Sequence, residues 1–244
     1  MSLAIDRLAW AGVWRRRALA DKMVLALGLM ALALALPPWP GAALVLVTAW
    51  GAALGAARLP WRDWLRLNAA PLGFVLTGAA TLAVEVGPGG FALAADHGAA
   101  ALATVLRAQA AASCLLLLAA TTPTPDLVRG LRRLGLPAEI TEIALLTWRF
   151  LFLLLDGAAA IHAAQDARLG WYGWRRSIRS LGLLIAQLLP RAMDGARRLE
   201  IGLAARGFAG PLPMLSPARP ASAAFLGLTL GGLILVAGVS LWAA

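Results

Sequence analysis

Covalent and metal chemistry is thinly provided for in this chain: 244 residues carry one cysteine, two histidines and a single lysine. The lone Cys114 excludes an intramolecular disulfide and any cysteine-based metal cluster. It lies among apolar residues and reads as a small packing residue. His97 and His162 fall in different segments, whereas a structural metal site needs about four ligands and a catalytic one about three. No metal site and no cofactor are expected. The lysine, Lys22, follows Ala18-Leu19-Ala20-Asp21, so the G-x-x-x-x-G-K-[ST] loop that cradles phosphates is missing. G-x-S-x-G, H-E-x-x-H and any paired histidine and carboxylate set are missing too, so the chain is expected to be no enzyme. Charge is also scarce, 14% of residues against about 25% in a soluble domain. Most of the surface therefore faces something other than water.

What is present is apolar: 61% of residues are hydrophobic, and 25 glycines accompany long Ala/Leu tracts. Small residues let membrane helices approach closely. The N-terminal segment, with Ile5-Asp6-Arg7 and Arg15-Arg16-Arg17, lacks a cleavable signal-peptide pattern. Runs near the membrane-spanning length of about 20 residues occur at Met23–Leu36, Ala42–Ala57, Pro71–Val86, Ala99–Ala120 and Ala221–Ala244. The first two form a hairpin about Pro37-Pro38-Trp39-Pro40. Residues 58–66, with interleaved Trp and Arg, suit an amphipathic helix in the headgroup region. Between the fourth and fifth spans, residues 121–220 alternate apolar and basic stretches. Helices are expected there over Thr124–Leu134, from Pro137 to Leu155, Asp156–Leu169, Arg175–Leu189, and from Pro190 to Ala205 with a stop at Gly207. Ile143–Leu155 is apolar enough to be a sixth or re-entrant span. The expected fold is an all-α integral membrane protein of about five transmembrane helices plus a cytoplasmic domain of amphipathic helices.

Charge placement orients it. Segments 1–22, 58–68 and 121–220 hold 5, 3 and 13 Lys/Arg, 21 of the 22 in the chain. Positive charge accumulates in the cytoplasm, which puts the N-terminus and residues 121–220 there and the C-terminus outside. The net charge of +10 flanks the spans and forms no separate nucleic-acid-binding module. The expected organisation is a cytoplasmic segment 1–22, four spans within 23–120, a cytoplasmic domain 121–220 and a last span 221–244. Arg107 is the exception, roughly 12 Å into the fourth span at 1.5 Å per residue. An arginine there costs about 2.5–3.5 kcal/mol on insertion scales. Snorkelling or pairing with Glu85 relieves that cost; facing a partner or a substrate path is the functional alternative.

Two stretches resemble each other, Ala164–Gly170 and Gly202–Phe208. Each is a helix end with a small residue, an arginine and a nearby helix-stopping glycine. An arginine is electrostatically comfortable at the negative end of a helix. It is also a planar fork suited to a carboxylate in a partner's acidic pocket. Arg191, Arg197 and Arg198 read as interfacial charges.

The sequence resembles the transmembrane T component of energy-coupling factor (ECF) transporters, most closely the cobalt type called CbiQ, over nearly its whole length. The residues that carry the resemblance are Ile5-Asp6-Arg7, Trp14-Arg15 and Asp21-Lys22. They continue with Thr122-Pro123, Asp126-Leu127, Leu131, Leu134-Gly135-Leu136-Pro137 and Trp148-Arg149-Phe150. The most specific is Ala205-Arg206-Gly207-Phe208, similar to the family's second Ala-Arg-Gly motif. Ala167-Arg168-Leu169 is similar to the first, with Leu where glycine or serine is common. The resemblance implies that residues 121–220 are a coupling domain. It implies that Ala167, Arg168, Leu169, Ala205, Arg206 and Gly207 dock two copies of a cytoplasmic ATP-binding cassette ATPase. It further implies a CbiM-type substrate-binding S component, a small accessory membrane subunit and a multi-pass place in a bacterial inner membrane. ATP hydrolysis and substrate ligation would then belong to partner subunits. A T component for biotin or nickel shares these motifs. A membrane-embedded enzyme acting on lipid-linked substrates and a scaffold without transport coupling remain alternatives from other classes.

Overall fold

Ala- and Leu-rich runs lose little side-chain freedom in a helix, and helices dominate the computed structural model, which describes residues 4–82, 84–87, 90–93, 97–133, 135–208 and 220–243. Helix α1 (Ala4–Ala11) and a 3₁₀ turn (Val13–Arg16) precede α2 (Leu19–Ala35). Helix α3 (Ala43–Gly51) runs on into a π-helical turn (Ala52–Ala56) and is preceded by Pro38–Ala42, where the backbone kinks at the extended Trp39 (φ −121°, ψ 126°). There follow α4 (Trp61–Leu82), β1 (Val84–Gly87), β2 (Gly90–Leu93), α5 (His97–Thr121), α6 (Thr124–Arg133), α7 (Ala138–Asp166), α8 (Trp174–Ala204) and α9 (Ala223–Trp242). Among the described residues, four helical stretches are long and apolar enough to cross a membrane: Pro38–Ala56, Gly98–Thr121, Ala138–Asp166 and Ala223–Trp242. Helix α2 has 17 residues, and α4 carries Arg62, Asp63 and Arg66 in its first two turns.

Several boundaries differ from expectation. The interfacial helix at 58–66 and the third span are one helix, α4, which passes through Pro71. Proline removes one helical hydrogen bond, but Trp64, Asn68 and Ala79 are buried on either side of it, and α4 packs along α5. Helix ends at Leu82, and β1 pairs with β2 (Val84 opposite Leu93). The β-branched Val84 and Val86 ahead of the Gly/Pro-rich residues 87–90 favour that hairpin. The break expected at Asp156 is absent, and α7 runs on to Asp166. Pro190, expected to start or kink a helix, starts none: it lies inside α8, which is continuous over 31 residues. Pro190 and Ala186, whose carbonyl loses its partner, are both exposed, so the vacant acceptor is open to the surroundings.

The contacts divide the chain into two units, one of Ala4–Leu127 with the C-terminal helix, the other from Val128 onward through α8. In the first, α5 is the central helix, packed on α1, α2, α3 and α4, while α9 packs on α2. One apolar cluster gathers Leu29, Ala33, Val45, Ala49, Ala110, Cys114 and Val236. A second gathers Trp14, Ala53, Ala57, Leu59, Trp64, Leu117 and Ala120. Polar side chains knit the same helices. The Asn68 Oδ1 accepts from Gln109 Nε2 (3.0 Å) and from Ser113 Oγ (2.8 Å), while Trp50 Nε1 donates to Ser113 Oγ (3.3 Å). Interhelical hydrogen bonds of this kind contribute about 0.6 kcal/mol each on average in lipid, up to about 1.7. Lys22 is buried and donates from Nζ to the Thr121 carbonyl at the end of α5 (2.8 Å). Buried Asp21 accepts from the Ser222 amide just ahead of α9 (3.3 Å).

In the second unit α7 and α8 form an antiparallel helical hairpin. Phe150 lies against Gly195, and the Arg191 guanidinium passes over Gly157, 2.9 Å from where a Cβ would stand. A Cβ at 157 would meet only the mobile end of Arg191, whereas one at 195 would stand 3.1 Å from the Phe150 ring, so Gly195 is the closer point of helix approach.

Candidate functional site

The two arginine-bearing stretches form matching helix ends. Helix α7 finishes at Asp166 with Ala167 as its C-cap (φ −57°, ψ −21°), and α8 finishes at Ala204 with Ala205 as its C-cap (φ −61°, ψ −21°). Ala167 donates to the Ala163 carbonyl (3.1 Å) as Ala205 does to Ile201 (2.9 Å). Arg168 donates to Gln165 and Arg206 to Leu203, both at 3.1 Å. Beyond the arginines, Leu169 and Gly207 both have positive φ, 56° and 65°. The chain then closes each end with a bond reaching five residues back, from Gly170 to Gln165 (2.8 Å) and from Phe208 to Leu203 (3.1 Å). That is the Schellman arrangement, which satisfies last-turn carbonyls and needs a left-handed residue just before the one that donates the six-to-one bond. Leucine at 169 therefore keeps the geometry glycine provides at 207.

The two turns differ in their support. Gly170 sits so close to α8 that a Cβ would meet Ser180 Oγ at 2.8 Å and the Gln165 carbonyl at 2.9 Å. Ser180 Oγ donates to the Gly170 carbonyl (2.8 Å), Gln165 Nε2 to the Ser180 carbonyl (3.0 Å) and Ser177 Oγ to the Trp171 carbonyl (3.1 Å). His162 stacks on Trp171 with centroids 4.5 Å apart. Among the described residues, no atom outside its own turn lies within 4 Å of where a Cβ on Gly207 would be. Both arginines are exposed, and their guanidinium groups make no hydrogen bond or ion pair among the described residues. The structure does not bring the turns together: the first packs beside Ser180, and the rest of α8 from there to its end separates them by roughly 37 Å. Chemically, each end offers a forked cation on a fixed backbone, suited to a carboxylate.

Arg107 lies in the other unit. Its Nη2 donates to the Leu36 carbonyl at the C-cap of α2 (3.0 Å). A cation at a helix C-terminus meets both the unpaired carbonyl and the negative end of the macrodipole. Glu85 stands opposite Ala92 in the hairpin; its side chain, and so the expected pairing with Arg107, lies outside the described residues. Arg191 is packed on α7, while Arg197 and Arg198 are exposed.

Sequence reasoning missed the Asn68–Gln109–Ser113–Trp50 network. Its signal was available, since Gln109 and Ser113 stand four residues apart on a mostly apolar helix and so share a face.

Over residues 11–215 the sequence matches the family CbiQ, described as cobalt transport protein. It is 52% identical, over 99% of this chain and 100% of the relative, to the cobalt transport protein CbiQ of Rhodobacter capsulatus. To the cobalt transport protein CbiQ of Salmonella typhimurium it is 34% identical, over 82% of this chain and 96% of the relative. A putative fused cobalt transport protein CbiMQ of Methanocorpusculum labreanum is 29% identical over 65% of this chain and 28% of its own length.

Proposed function

The chain belongs to the CbiQ family of cobalt transport proteins, and from that premise we propose that it is the transmembrane T component of an ECF-type importer for cobalt ions. In this reading two cytoplasmic ATPase subunits dock on the ends of α7 and α8, one through Arg168 and the other through Arg206. The observation that carries it is the pair of backbone-matched turns, each presenting one exposed arginine at the end of a long helix. Two equivalent elements suit two copies of one partner. Closing of the ATPase pair on ATP changes the distance between its two docking grooves. The α7–α8 hairpin passes that movement on, because its helices are in close contact at Gly195 and are tied by the Gln165–Ser180 hydrogen bond.

The moved body is a substrate-binding S component of the CbiM type. The relative named as a fused CbiMQ protein supports that pairing. Residues 121–220 form the cytoplasmic coupling domain, and the N-terminus is cytoplasmic; the Lys/Arg distribution supports this orientation. Hydrolysis of ATP and ligation of cobalt are the work of the partners, and this chain converts one into movement of the other.

The test is radiolabelled cobalt uptake by cells expressing the whole transporter, with the native chain or an Arg168→Ala/Arg206→Ala chain. Uptake should be lost in the double variant while the chain still reaches the membrane and still co-purifies with the S component. Full uptake by the double variant would overturn the docking assignment. Nickel or biotin uptake in place of cobalt would move the substrate assignment and leave docking intact.

A further inference from the structure

Around the second apolar cluster of the helical bundle lies a surface that the transport reading leaves unused. Trp14, Ala57, Leu59, Trp64, Leu117 and Ala120 meet in that cluster, with Phe225 packed against it. This brings the start of α2, the turn that ends α3 at Ala56, the start of α4, the end of α5 and the start of α9 to one end of the unit. Six arginines lie within three residues of cluster members: Arg15, Arg16, Arg17, Arg58, Arg62 and Arg66, all exposed. Within segments 13–17 and 57–66 the only carboxylate is Asp63, 3.8 Å from Arg66.

Three of these guanidinium groups are held against aromatic faces. Arg15 lies 4.4 Å from the Trp10 centroid, Arg17 is 4.4 Å from Phe225 and 5.8 Å from Trp14, and Arg62 is 5.4 Å from Trp61. A ring on one face fixes a guanidinium without using its N–H edge, which is the part that pairs bidentately with phosphate oxygens. Arg17 and Arg62 spend those edges on no partner among the described residues. Beside them stand exposed apolar side chains: Val13 at 61%, Trp61 at 59% and Leu65 at 44%. Two helices long and apolar enough to cross a membrane end here and a third begins.

We propose that this end of the bundle binds the phosphate headgroup of an anionic phospholipid, with Arg17 and Arg62 as its principal contacts. Fixed cations next to exposed apolar groups, at the level where spanning helices stop, match a ligand whose phosphate adjoins acyl chains. A nucleic acid would leave Val13, Trp61 and Leu65 in water. The site stands on geometry of its own and does not rest on the ATPase-docking reading.

The experiment uses the full chain purified in neutral detergent. Its thermal unfolding is followed with added phosphatidylglycerol, with phosphatidylcholine of the same acyl chains, or with inorganic phosphate. Phosphatidylglycerol alone should raise the midpoint, and Arg17→Gln/Arg62→Gln should weaken its binding about tenfold or more. An Arg175→Gln/Arg176→Gln chain, which loses the same charge in α8, should keep the response. Should the glutamine pair not fold, Arg17→Lys/Arg62→Lys carries the test, with intermediate affinity expected because ammonium keeps the charge and loses the fork. The proposal is overturned by an equal response to phosphatidylcholine, by wild-type affinity in the glutamine or lysine pair, or by equal loss in the α8 control. An equal shift with inorganic phosphate would assign the site to a free anion and overturn it as well.

Discussion

Leu169 and Gly207 share a left-handed backbone at equivalent places, φ 56° and 65°, each one residue past an exposed arginine. Glycine adopts that conformation without penalty, whereas a residue with a Cβ loses about 1–2 kcal/mol. Leu169 is 66% exposed, so its side chain recovers little by burial. The first turn is strained and is held in shape by its tertiary bonds to α8. Leu169→Gly should therefore raise the local opening free energy of the Arg168–Gly170 amides by about 1–2 kcal/mol. Gly207→Ala should lower that of the second turn by a similar amount. Hydrogen exchange reads both, and no change in protection for Leu169→Gly would mean the turn carries no such strain.

The docking reading makes a quantitative demand on the guanidinium groups. Truncating one partner of a buried charge pair at an interface costs about 2–5 kcal/mol, so Arg168→Ala and Arg206→Ala should each weaken ATPase binding by at least an order of magnitude. Arg→Lys at either place should recover only part, because an ammonium cannot pair as a fork. Salt should weaken the native complex in part, as the screening length falls from about 10 Å at 0.1 M to about 3 Å at 1 M. Affinity measurements on the detergent-solubilised complex check both. Binding by Arg168→Lys equal to the native chain would remove the bidentate contact from the proposal.

Much of this was legible from local pattern. Apolar run length located α3, α5 and α9, and the glycine after each arginine marked the ends of α7 and α8. The continuity of α4 across Pro71, of α7 across Asp156 and of α8 across Pro190 was not legible. A local breaker does not decide the outcome by itself: α4 is packed along α5 on both sides of Pro71, while at Pro190 the vacated acceptor is exposed. Arg107 illustrates the same limit: its depth in the span was evident, but its partner, the Leu36 carbonyl, is 71 residues away in sequence. Leu169 was read as a departure from a glycine motif, and only the backbone dihedral shows that leucine occupies the same conformation.

Because Arg107 caps α2, its loss should be felt in stability. A hydrogen bond to a charged group contributes about 1.5–3 kcal/mol, and Arg107→Met also leaves the Leu36 carbonyl without its side-chain donor. The variant should unfold at lower temperature in detergent, with Arg107→Lys intermediate. Cobalt uptake per folded transporter should stay near the native level. Unchanged unfolding together with collapsed uptake would place Arg107 on a substrate path.

Asp21 and Lys22 are consecutive, buried and serve different helix termini: Lys22 donates to the Thr121 carbonyl ending α5, and Asp21 accepts from the Ser222 amide ahead of α9. Each charge has the sign that its terminus favours. Replacing Lys22 by Met removes both the donor to the Thr121 carbonyl and the positive charge, at a cost of about 1.5–3 kcal/mol for the bond. It also leaves the Asp21 carboxylate buried without the adjacent ammonium, which adds to that loss. Asp21→Asn keeps an oxygen acceptor for Ser222 and removes only the charge, so its effect should be smaller. Thermal unfolding should rank the native chain first, Asp21→Asn second and Lys22→Met last. In the double variant the buried carboxylate is gone along with its neighbour, so the combined loss should be less than additive. Strict additivity would mean that the two residues act independently at their separate helix ends.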